Sequence, residues 1–389
     1  MRIAAVIAEY NPFHNGHAFH LRETRKAGAQ AVVAIMSGNF VQRGEPAAFS
    51  KWARAEAAVR CGVDLVVELP VFWAVGRAQR FAQGAVSIAN HLGCVDVLSF
   101  GSECGDAGCI LRAAQIVRTT AVPRELLDVG MTFAAAREEA VRAADASAAE
   151  LLRMPNDTLA VEYALAAERC GAAFSLFAVP RACAHDGEPV GEIAGASYIR
   201  RSLSDENTFA YCPPAAADVL HREIAAGRAP ADLRFAERAL LCRLRLSSAQ
   251  EIAALPDVSE GLENRILAAA KQADSIDSLC DAVKTKRYTH ARIRRILLSF
   301  LLGIRECDVP QDVPYLRVLA IGERGEDVLN AVKKHADLPI LTRRTGVSAL
   351  GADAARTFAL ECAAAEVYAS LQPRVGAGGS EQTTPIFKL

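Results

Sequence analysis

The chain has 389 residues, of which 51% are apolar and 23% charged. This composition excludes a wholly disordered protein and provides enough length for two or more hydrophobic cores. The formal net charge is -1, so there is no general positive field, and a nucleic acid partner must meet a local basic surface. No uninterrupted apolar run approaches the roughly 18 residues that cross a bilayer, and we therefore expect no membrane partner.

The first half of the chain alternates strand and helix patterns. Five apolar runs predict strands, at residues 2–8, 31–36, 63–69, 95–100 and 173–179. Segments with helical spacing separate them, at 17–27, 52–61, 79–92 and 107–170. This alternation predicts a fold of the α/β class with an open, Rossmann-like parallel sheet, in which the strand-to-helix loops face one crevice.

The second half has a different pattern. Short amphipathic helices follow Pro213 and Pro214, with weak strand signals over 316–321 and 338–341. We predict a Rossmann-like catalytic domain over 1–203 and a mainly helical C-terminal domain over 204–372. Residues 373–389 begin with a glycine-rich stretch and are predicted to form a flexible tail.

The loop after the first predicted strand contains two histidines. His14 and His17 are three residues apart where a helix begins, which places both imidazoles on one face beside the unpaired backbone N–H groups. Gly16 lets a nucleotide approach the backbone closely. Donors aimed at an α-phosphate stabilise the charge that develops there, so both histidines are candidate catalytic residues. Taken alone, either one is more simply explained as a polar helix cap.

The complete string around these histidines is more specific. Residues 9–17 (EYNPFHNGH) directly follow an apolar strand pattern and resemble the HxGH signature of the nucleotidyltransferase superfamily. Neither a GxGxxG dinucleotide fingerprint nor a GxxxxGK[ST] P-loop is present. The stretches 36–46, 51–55 and 64–70 narrow the resemblance to the tRNA(Met) cytidine acetate ligase family, over nearly the whole chain. The resemblance implies an open sheet of the nucleotidyltransferase type.

This resemblance implies a reaction that composition and periodicity cannot supply. In the family, acetate and ATP form acetyl-adenylate, and the acetyl group passes to N4 of the wobble cytidine of elongator tRNA(Met). The implied substrates are ATP, acetate and this tRNA, with Mg²⁺ carried by the nucleotide and no protein metal site. A cytoplasmic location follows, in agreement with eleven cysteines that lack paired CxxC spacing and predict reduced thiols. No DNA partner is implied.

The resemblance also assigns ATP contacts to this chain. They are Ile7, Ala8, Glu9, Tyr10, Asn11, Pro12, Phe13, His14, Asn15, Gly16, His17, Ala18, Phe19, His20, Gly101, Asn156 and Arg181. Outside the family argument, Gly101 is also explained as an ordinary turn glycine and Arg181 as a solvated cation. Asn156 suits either a bond to the base or ribose or the cap of a helix.

A second phosphate motif is expected at residues 193–200. The superfamily often has a segment rich in Ser and Thr that ends in Arg, and Ser197 and Arg200 match it. Gly195 replaces a hydroxyl residue, which leaves the hydroxyl contribution of this motif in doubt. Arg200 is the expected pyrophosphate contact, and a purely structural cap is the alternative.

A basic strip over 284–295 is the candidate RNA surface. It contains six Lys or Arg residues and no acid, and such a strip can bind phosphates while an aromatic residue stacks on an unpaired base. An ordinary solvated face is the alternative. Arg43 is a further candidate on the path from the adenylate to the RNA. The predicted tRNA contacts are Lys51, Arg54, Lys284, Lys286, Arg287, Tyr288, Arg292 and Arg295.

Two other functions remain open at this point. One is an adenylyltransferase that joins AMP to a small phosphorylated cofactor precursor; the length of the chain and the basic strip argue against it. The other is a non-catalytic RNA-binding protein that binds a nucleotide only as a ligand.

Overall fold

The protein is described by a computed structural model that covers residues 1–181, 189–259, 261–342 and 347–389. The strands in these ranges are β1 (Ile3–Ala8), β2 (Ala31–Ser37), β3 (Phe40–Val41), β4 (Glu45–Pro46), β5 (Leu65–Leu69), β6 (Val97–Ser102), β7 (Ser175–Pro180), β8 (Leu316–Ile321), β9 (Ile340–Leu341) and β10 (Phe387–Lys388). The ten cysteines in the described ranges are all free thiols.

Helices connect these strands and form most of the second half. They are α1 (Asn15–Lys26), α2 (Lys51–Arg60), α3 (Val71–Ala74), α4 (Ala78–His91), α5 (Ala107–Thr119), α6 (Arg124–Asp128), α7 (Phe133–Ala144), α8 (Ala146–Leu151), α9 (Pro155–Arg169), α10 (Ala196–Arg201), α11 (Pro214–Ala225), α12 (Glu237–Leu246), α13 (Ala249–Ala253), α14 (Leu262–Gln272), α15 (Ile276–Val283), α16 (His290–Leu302), α17 (Gly325–His335), α18 (Ala352–Ser370) and α19 (Ser380–Thr383).

The main sheet has the order β10-β8-β5-β2-β1-β6-β7, and β9 pairs with β8. The five strands predicted from the first half, β1, β2, β5, β6 and β7, are all parallel to one another. Their carboxyl ends therefore meet at one edge, where ligands bind in sheets of this kind. The predicted α/β class and the parallel sheet are confirmed.

Both faces of the sheet are covered, which explains the continuous apolar runs. Every residue of β2 is buried. Val33 and Ile35 belong to a core that includes α4, α5 and α9, whereas Val32 and Ala34 belong to a second core that includes α2 and α11. Successive side chains of a strand point to opposite faces, so each face of β2 packs against its own layer of helices.

The sheet extends across the domain boundary that we predicted at residue 203. Strand β8 pairs antiparallel with β5, and β10 pairs parallel with β8. Residues 373–389 were expected to be a flexible tail, but the structure differs: Glu381 is 2% exposed and β10 lies at the edge of the sheet. The glycines that suggested flexibility form only the start of the segment, and the residues after them dock on the sheet.

Candidate active site

A cavity of about 550 Å³ lies at the carboxyl ends of β1, β6 and β7. Most of the residues assigned to ATP line it: Ile7, Ala8, Glu9, Tyr10, Asn11, His14, Gly16, His17, Phe19, His20, Gly101, Asn156, Arg181, Ser197 and Arg200. The structure therefore brings together, from β1, β6, β7, α9 and α10, residues that are up to about 190 positions apart.

Four residues of the predicted loop do not line this cavity. They are Pro12, Phe13, Asn15 and Ala18. Phe13 is fully buried in the core between the sheet and α2. The side-chain amide of Asn15 donates to the carbonyl oxygens of Glu192 and Ala210 at 2.8 and 3.1 Å. Residues such as these support the loop, because its phosphate-facing groups are fixed only if the opposite side is anchored.

The side chains of His14 and His17 both accept hydrogen bonds from backbone N–H groups at the start of α1. His14 is the residue that caps the helix, and its Nδ1 accepts a hydrogen bond from the backbone N–H of Gly16 at 3.0 Å. The Nδ1 atom of His17 accepts from the backbone N–H of His14 at 3.2 Å. Each Nδ1 atom is thus an acceptor, which places the proton of the neutral ring on Nε2. The cap explanation and the ligand-facing explanation are compatible, because the two ring nitrogens have different tasks.

The histidines of this cavity are neutral. Burial, together with the positive charges of Arg181 and Arg200, lowers the pKa of His14 to about 3. Burial and the neighbouring His14 lower the pKa of His17 well below its usual value. Burial and Arg181 likewise lower the pKa of His20 to about 4. At neutral pH these rings act as hydrogen-bond donors rather than as cations.

The stability of the protein is expected to fall as the pH drops below about 6.5. The unfolded chain binds protons on these histidines there, whereas the folded chain does not, because the folded pKa of His14 is about 3 and that of His20 about 4. Each histidine contributes up to about 1.4 kcal/mol per pH unit over this range. Urea unfolding at about pH 7 and about pH 5 measures the loss. His20→Phe should make the dependence shallower; an unchanged slope in that variant contradicts the assignment.

His20 also connects α1 to β6. Its Nε2 atom is 2.9 Å from Oγ of Ser99, and that oxygen lies 2.7 Å from Oγ1 of Thr24. Ser99 and Thr24 are buried. This polar chain holds the first turns of α1 against the strand that leads to Gly101, and so fixes the distance between the two sides of the cavity.

Arg181 approaches the cavity from the end of β7. One of its terminal nitrogens donates to Oδ1 of Asn156 at 3.3 Å, and its buried Nε has no hydrogen-bond partner. The amide nitrogen of Asn156 donates to Glu103 at 2.6 Å. Asn156 lies inside α9, whose cap position is Met154, so the proposed capping role is wrong. Asn156 instead orients the guanidinium, and the unpaired Nε is a donor suited to an anion.

Arg200 reaches the cavity from α10. It donates to the carbonyl oxygen of Asn11 at 2.8 Å and to Oγ of Ser197 at 3.3 Å. Gly195, where a hydroxyl residue was expected, caps α10 without any side-chain hydrogen bond. The hydroxyl of Ser197 therefore remains the hydroxyl group of this motif on the cavity, and Arg200 ties it to the loop of His14.

Two of the predicted RNA contacts are wrong: Lys51 and Arg54 are both 0% exposed. The ammonium group of Lys51 lies 2.6 Å from Glu68 and 2.7 Å from Glu381. The guanidinium of Arg54 donates to the backbone carbonyls of Phe49 and Ser37 at 2.8 and 3.1 Å. Burial lowers the pKa of Arg54 to about 10. Both cations stabilise the interior beneath the loops, and neither can reach RNA.

The basic strip is divided by its fold. Lys284 and Lys286 are exposed and remain candidate RNA contacts. Tyr288 is only 9% exposed, which contradicts base stacking, and the guanidinium of Arg292 lies over its ring at 5.1 Å from the centroid. Arg292 also donates to the carbonyl oxygen of Asp257 at 2.7 Å.

The remaining residues of the strip follow the same division. Arg287 is partly exposed and remains a candidate. Arg295 is 3.2 Å from a carboxylate oxygen of Asp257 and lines the cavity described above. The strip is thus not a continuous surface, because α16 begins at His290 and buries one face of its first turns, starting with Ile293 and Ile296.

Sequence reasoning missed several cavity residues, among them Gln42, Arg77, Phe81, Phe100, Thr158 and Tyr163. The available signal was position: Arg77 follows the carboxyl end of β5 by a short helix, and loops at that edge are where ligands bind. Nothing in the local residue pattern around Phe81 or Tyr163 distinguishes a cavity wall from core.

The parallel sheet and the histidine loop define a nucleotidyltransferase of the HIGH class, and a family model described as HIGH Nucleotidyl Transferase matches residues 1–382. The tRNA(Met) cytidine acetate ligase of Acetivibrio thermocellus is 35% identical and covers 100% of both chains. That of Syntrophotalea carbinolica is 40% identical over 88% of this chain and 85% of the relative. The chain belongs to the tRNA(Met) cytidine acetate ligase family, which confirms the resemblance, and it is a ligase.

Solved structures agree with this membership. The crystal structure of Thermotoga maritima TmcAL bound with alpha-thio ATP has a TM-score of 0.91, is 31% identical and covers 100% of both chains. The apo structure of the same protein has a TM-score of 0.94 at the same identity and coverage. The fold around the cavity is therefore that of a protein whose structure contains an ATP analogue.

The described residues contain neither a membrane-spanning helix nor a cluster of metal ligands. No helix among them is long and apolar enough to cross a membrane. In the same ranges, no group of three or more His, Cys, Asp or Glu side chains is arranged to hold a metal ion.

Proposed function

We propose that this enzyme activates acetate with ATP and transfers the acetyl group to N4 of the wobble cytidine of elongator tRNA(Met). The observation that supports it most directly is the pair of imidazoles, each with Nδ1 bonded to a backbone N–H, in one cavity with Arg181 and Arg200. Two neutral donors beside two guanidinium groups suit a triphosphate whose α-phosphate is attacked. Relatives at 35–40% identity are named tRNA(Met) cytidine acetate ligase.

The first step is a displacement at phosphorus. A carboxylate oxygen of acetate forms a bond to the α-phosphorus, and the bond from that phosphorus to the bridging oxygen breaks. Pyrophosphate leaves with the electron pair, and acetyl-adenylate remains. The Nε2–H groups of His14 and His17 donate to the α-phosphate as its charge redistributes, while Arg181 and Arg200 bind the negative charge of the nucleotide. No side-chain nucleophile is required.

The second step is acyl transfer. The exocyclic N4 atom of cytidine forms a bond to the acetyl carbon of the mixed anhydride. The bond from that carbon to the phosphate oxygen breaks, AMP leaves with the electron pair, and the amine loses one proton. Two substrates react faster when one cavity holds them in contact and in the correct orientation. The cavity must therefore accommodate both the adenylate and the incoming base.

Mg²⁺ is the expected companion of the nucleotide, and the carboxylates that line the cavity are Glu9 and Glu45. Glu9 accepts a hydrogen bond from the backbone N–H of Gln42 at 2.9 Å, and Glu45 pairs with Arg294 at 2.5 Å. Among the described residues these carboxylates do not form a cage for a cation. The phosphate oxygens and water would hold the ion, and we assign no step to a protein-bound metal.

Mass spectrometry of elongator tRNA(Met) tests the proposal. Incubation of the purified enzyme with the unmodified tRNA, ATP and acetate should give N4-acetylcytidine at the wobble position, together with AMP. Omission of acetate or ATP is the control. If the nucleosides stay unmodified while pyrophosphate is released with a phosphorylated cofactor precursor, the adenylyltransferase alternative replaces this proposal. ATP binding without pyrophosphate release from any acid supports the non-catalytic alternative.

A further inference from the structure

The cations of the cavity fall into two groups, one at the end of β1 and on its β6 and β7 side, and one on the side of β2 and β5. The sheet order places β6 and β7 on one side of β1 and β2 and β5 on the other. Arg181 follows β7, and Arg200 is bonded to the loop after β1. Arg43 lies in the hairpin after β2, and Arg77 lies beyond the end of β5. With strands about 4.8 Å apart, the two groups occupy different parts of one cavity.

A third arginine reaches the β2 and β5 side from the helical half of the protein. Arg295 lies one turn after Ala291 on α16, and both line the cavity. The side chain of Arg295 is 15% exposed and its Nε pairs with Asp257 at 3.2 Å. Arg43 and Arg77 are exposed at the same cavity. We call Arg43, Arg77 and Arg295 the rim arginines.

The contact between α16 and the β3–β4 hairpin fixes this arrangement. Arg294 pairs with Glu45 of the hairpin at 2.5 Å. Gly44 has a φ of +78°, and a Cβ at this position would overlap the backbone of Arg294 and Arg295. A side chain at residue 44 is therefore unfavourable for two reasons: the positive φ strains any residue other than glycine, and the backbone of α16 leaves no space for a Cβ atom. The hairpin and the helix meet backbone to backbone, which holds Arg43 and Arg295 at one edge of the cavity.

The hairpin, α4 and α16 also contribute apolar side chains to the cavity lining. Val41 ends β3, Phe81 is one turn into α4, and Ala291 is at the start of α16. Val41 and Phe81 are only 2% and 3% exposed, so they form the wall behind the cations and not a platform for a base. The guanidinium groups are therefore the groups that a nucleotide outside a duplex would contact, through its phosphates.

We propose that the rim arginines bind the sugar-phosphate backbone of a single-stranded RNA segment and direct a cytidine amine toward the adenylate at the end of β1. This inference rests on the proposed function and extends it, because it assigns the two substrates to different sides of β1. The side of β6 and β7 binds the nucleotide. The side of β2 and β5, closed by α16, binds the RNA acceptor.

Two half-reactions separate this inference from the proposed function. Acetate-dependent exchange of labelled pyrophosphate into ATP measures activation and needs no RNA. Acetyl transfer to tRNA needs both sides. For Arg77→Ala and Arg295→Ala we expect exchange within about threefold of the wild type, whereas the KM for tRNA in transfer rises about tenfold or more. Arg124→Ala, which removes an exposed arginine from α6 outside the cavity, is the matched control and should change neither rate.

The salt dependence of tRNA binding tests a phosphate contact directly. For each rim arginine replaced, the slope of log affinity against log salt concentration should become shallower by about 0.7, which a merely structural role does not produce. Binding does not require acetate or turnover, so this measurement remains decisive even if acetate proves to be the wrong substrate. Unchanged tRNA affinity and slope in Arg77→Ala and Arg295→Ala overturn the inference, and so does a loss of pyrophosphate exchange equal to the loss of transfer.

Discussion

His17→Ala is expected to lower acetate-dependent pyrophosphate exchange by about 10²–10³-fold. The Nδ1 atom of His17 is bonded to the backbone N–H of His14, so the ring presents Nε2–H to the cavity. Removal of a donor that acts on the charge developing at the α-phosphate lowers kcat more than it raises the KM for ATP. The initial rate of exchange at saturating acetate measures the effect.

Two further substitutions at the same position sharpen this test. Gln places an amide N–H near the position of Nε2, whereas Asn can replace only the bond made by Nδ1. His17→Gln should therefore retain more exchange activity than His17→Asn. His335→Gln, at an exposed position on α17, is the matched control with wild-type activity. Near-normal exchange in His17→Ala, or equal activity of the Gln and Asn variants, refutes the assigned role.

Lys51→Ala is expected to lower the free energy of unfolding by about 3–5 kcal/mol. The ammonium group lies within 2.7 Å of both Glu68 and Glu381, and all three side chains are 1% exposed. Burial alone lowers the pKa of Lys51, but the carboxylates of Glu381, Glu68 and Glu361 outweigh burial and raise it. Without the lysine, the buried carboxylates of Glu68 and Glu381 keep only Arg317, at 3.5 and 2.8 Å, as a neighbouring cation. Urea unfolding followed by circular dichroism measures the change.

The same experiment distinguishes a structural lysine from an RNA contact. Lys284→Ala, at an exposed position of the basic strip, should leave the free energy of unfolding within about 0.5 kcal/mol of the wild type. A double-mutant cycle of Lys51→Ala with Glu381→Ala should give a coupling energy larger than about 1 kcal/mol. If Lys51→Ala is as stable as the wild type and only weakens tRNA binding, the structural role assigned to Lys51 is wrong and the lysine is an RNA contact.

The strands and the histidine loop could be predicted because their signals are local. An apolar run such as Ile3–Ala8 that is followed by a helical pattern predicts a buried strand. The spacing of the two histidines indicates the start of a helix. The tautomers could not be predicted, because they depend on which backbone N–H each Nδ1 meets in the folded loop. The position of the rim arginines depends on the sheet order, which local patterns do not contain.

The failures at Lys51 and Arg54 have a common physical cause. A charged residue on an amphipathic helix is normally solvated, and the sequence near residue 51 contains nothing that neutralises the lysine apart from Glu68. Its other partner, Glu381, is 330 positions away. The hydrogen bonds of Arg54 go to backbone carbonyls, and the sequence does not show which carbonyls will be near a side chain. Charge composition alone therefore could not separate buried cations from an RNA surface.

The docking of residues 380–388 couples this segment to the interior of the first half of the chain. Glu381 pairs with both Lys51 and Arg317, and both cations are buried. A chain cleaved between residues 372 and 380 therefore keeps two buried cations that can lose one of their carboxylates whenever the segment leaves the sheet. Proteolysis at this position should loosen the sheet that carries the histidine loop, although every residue of that loop stays intact.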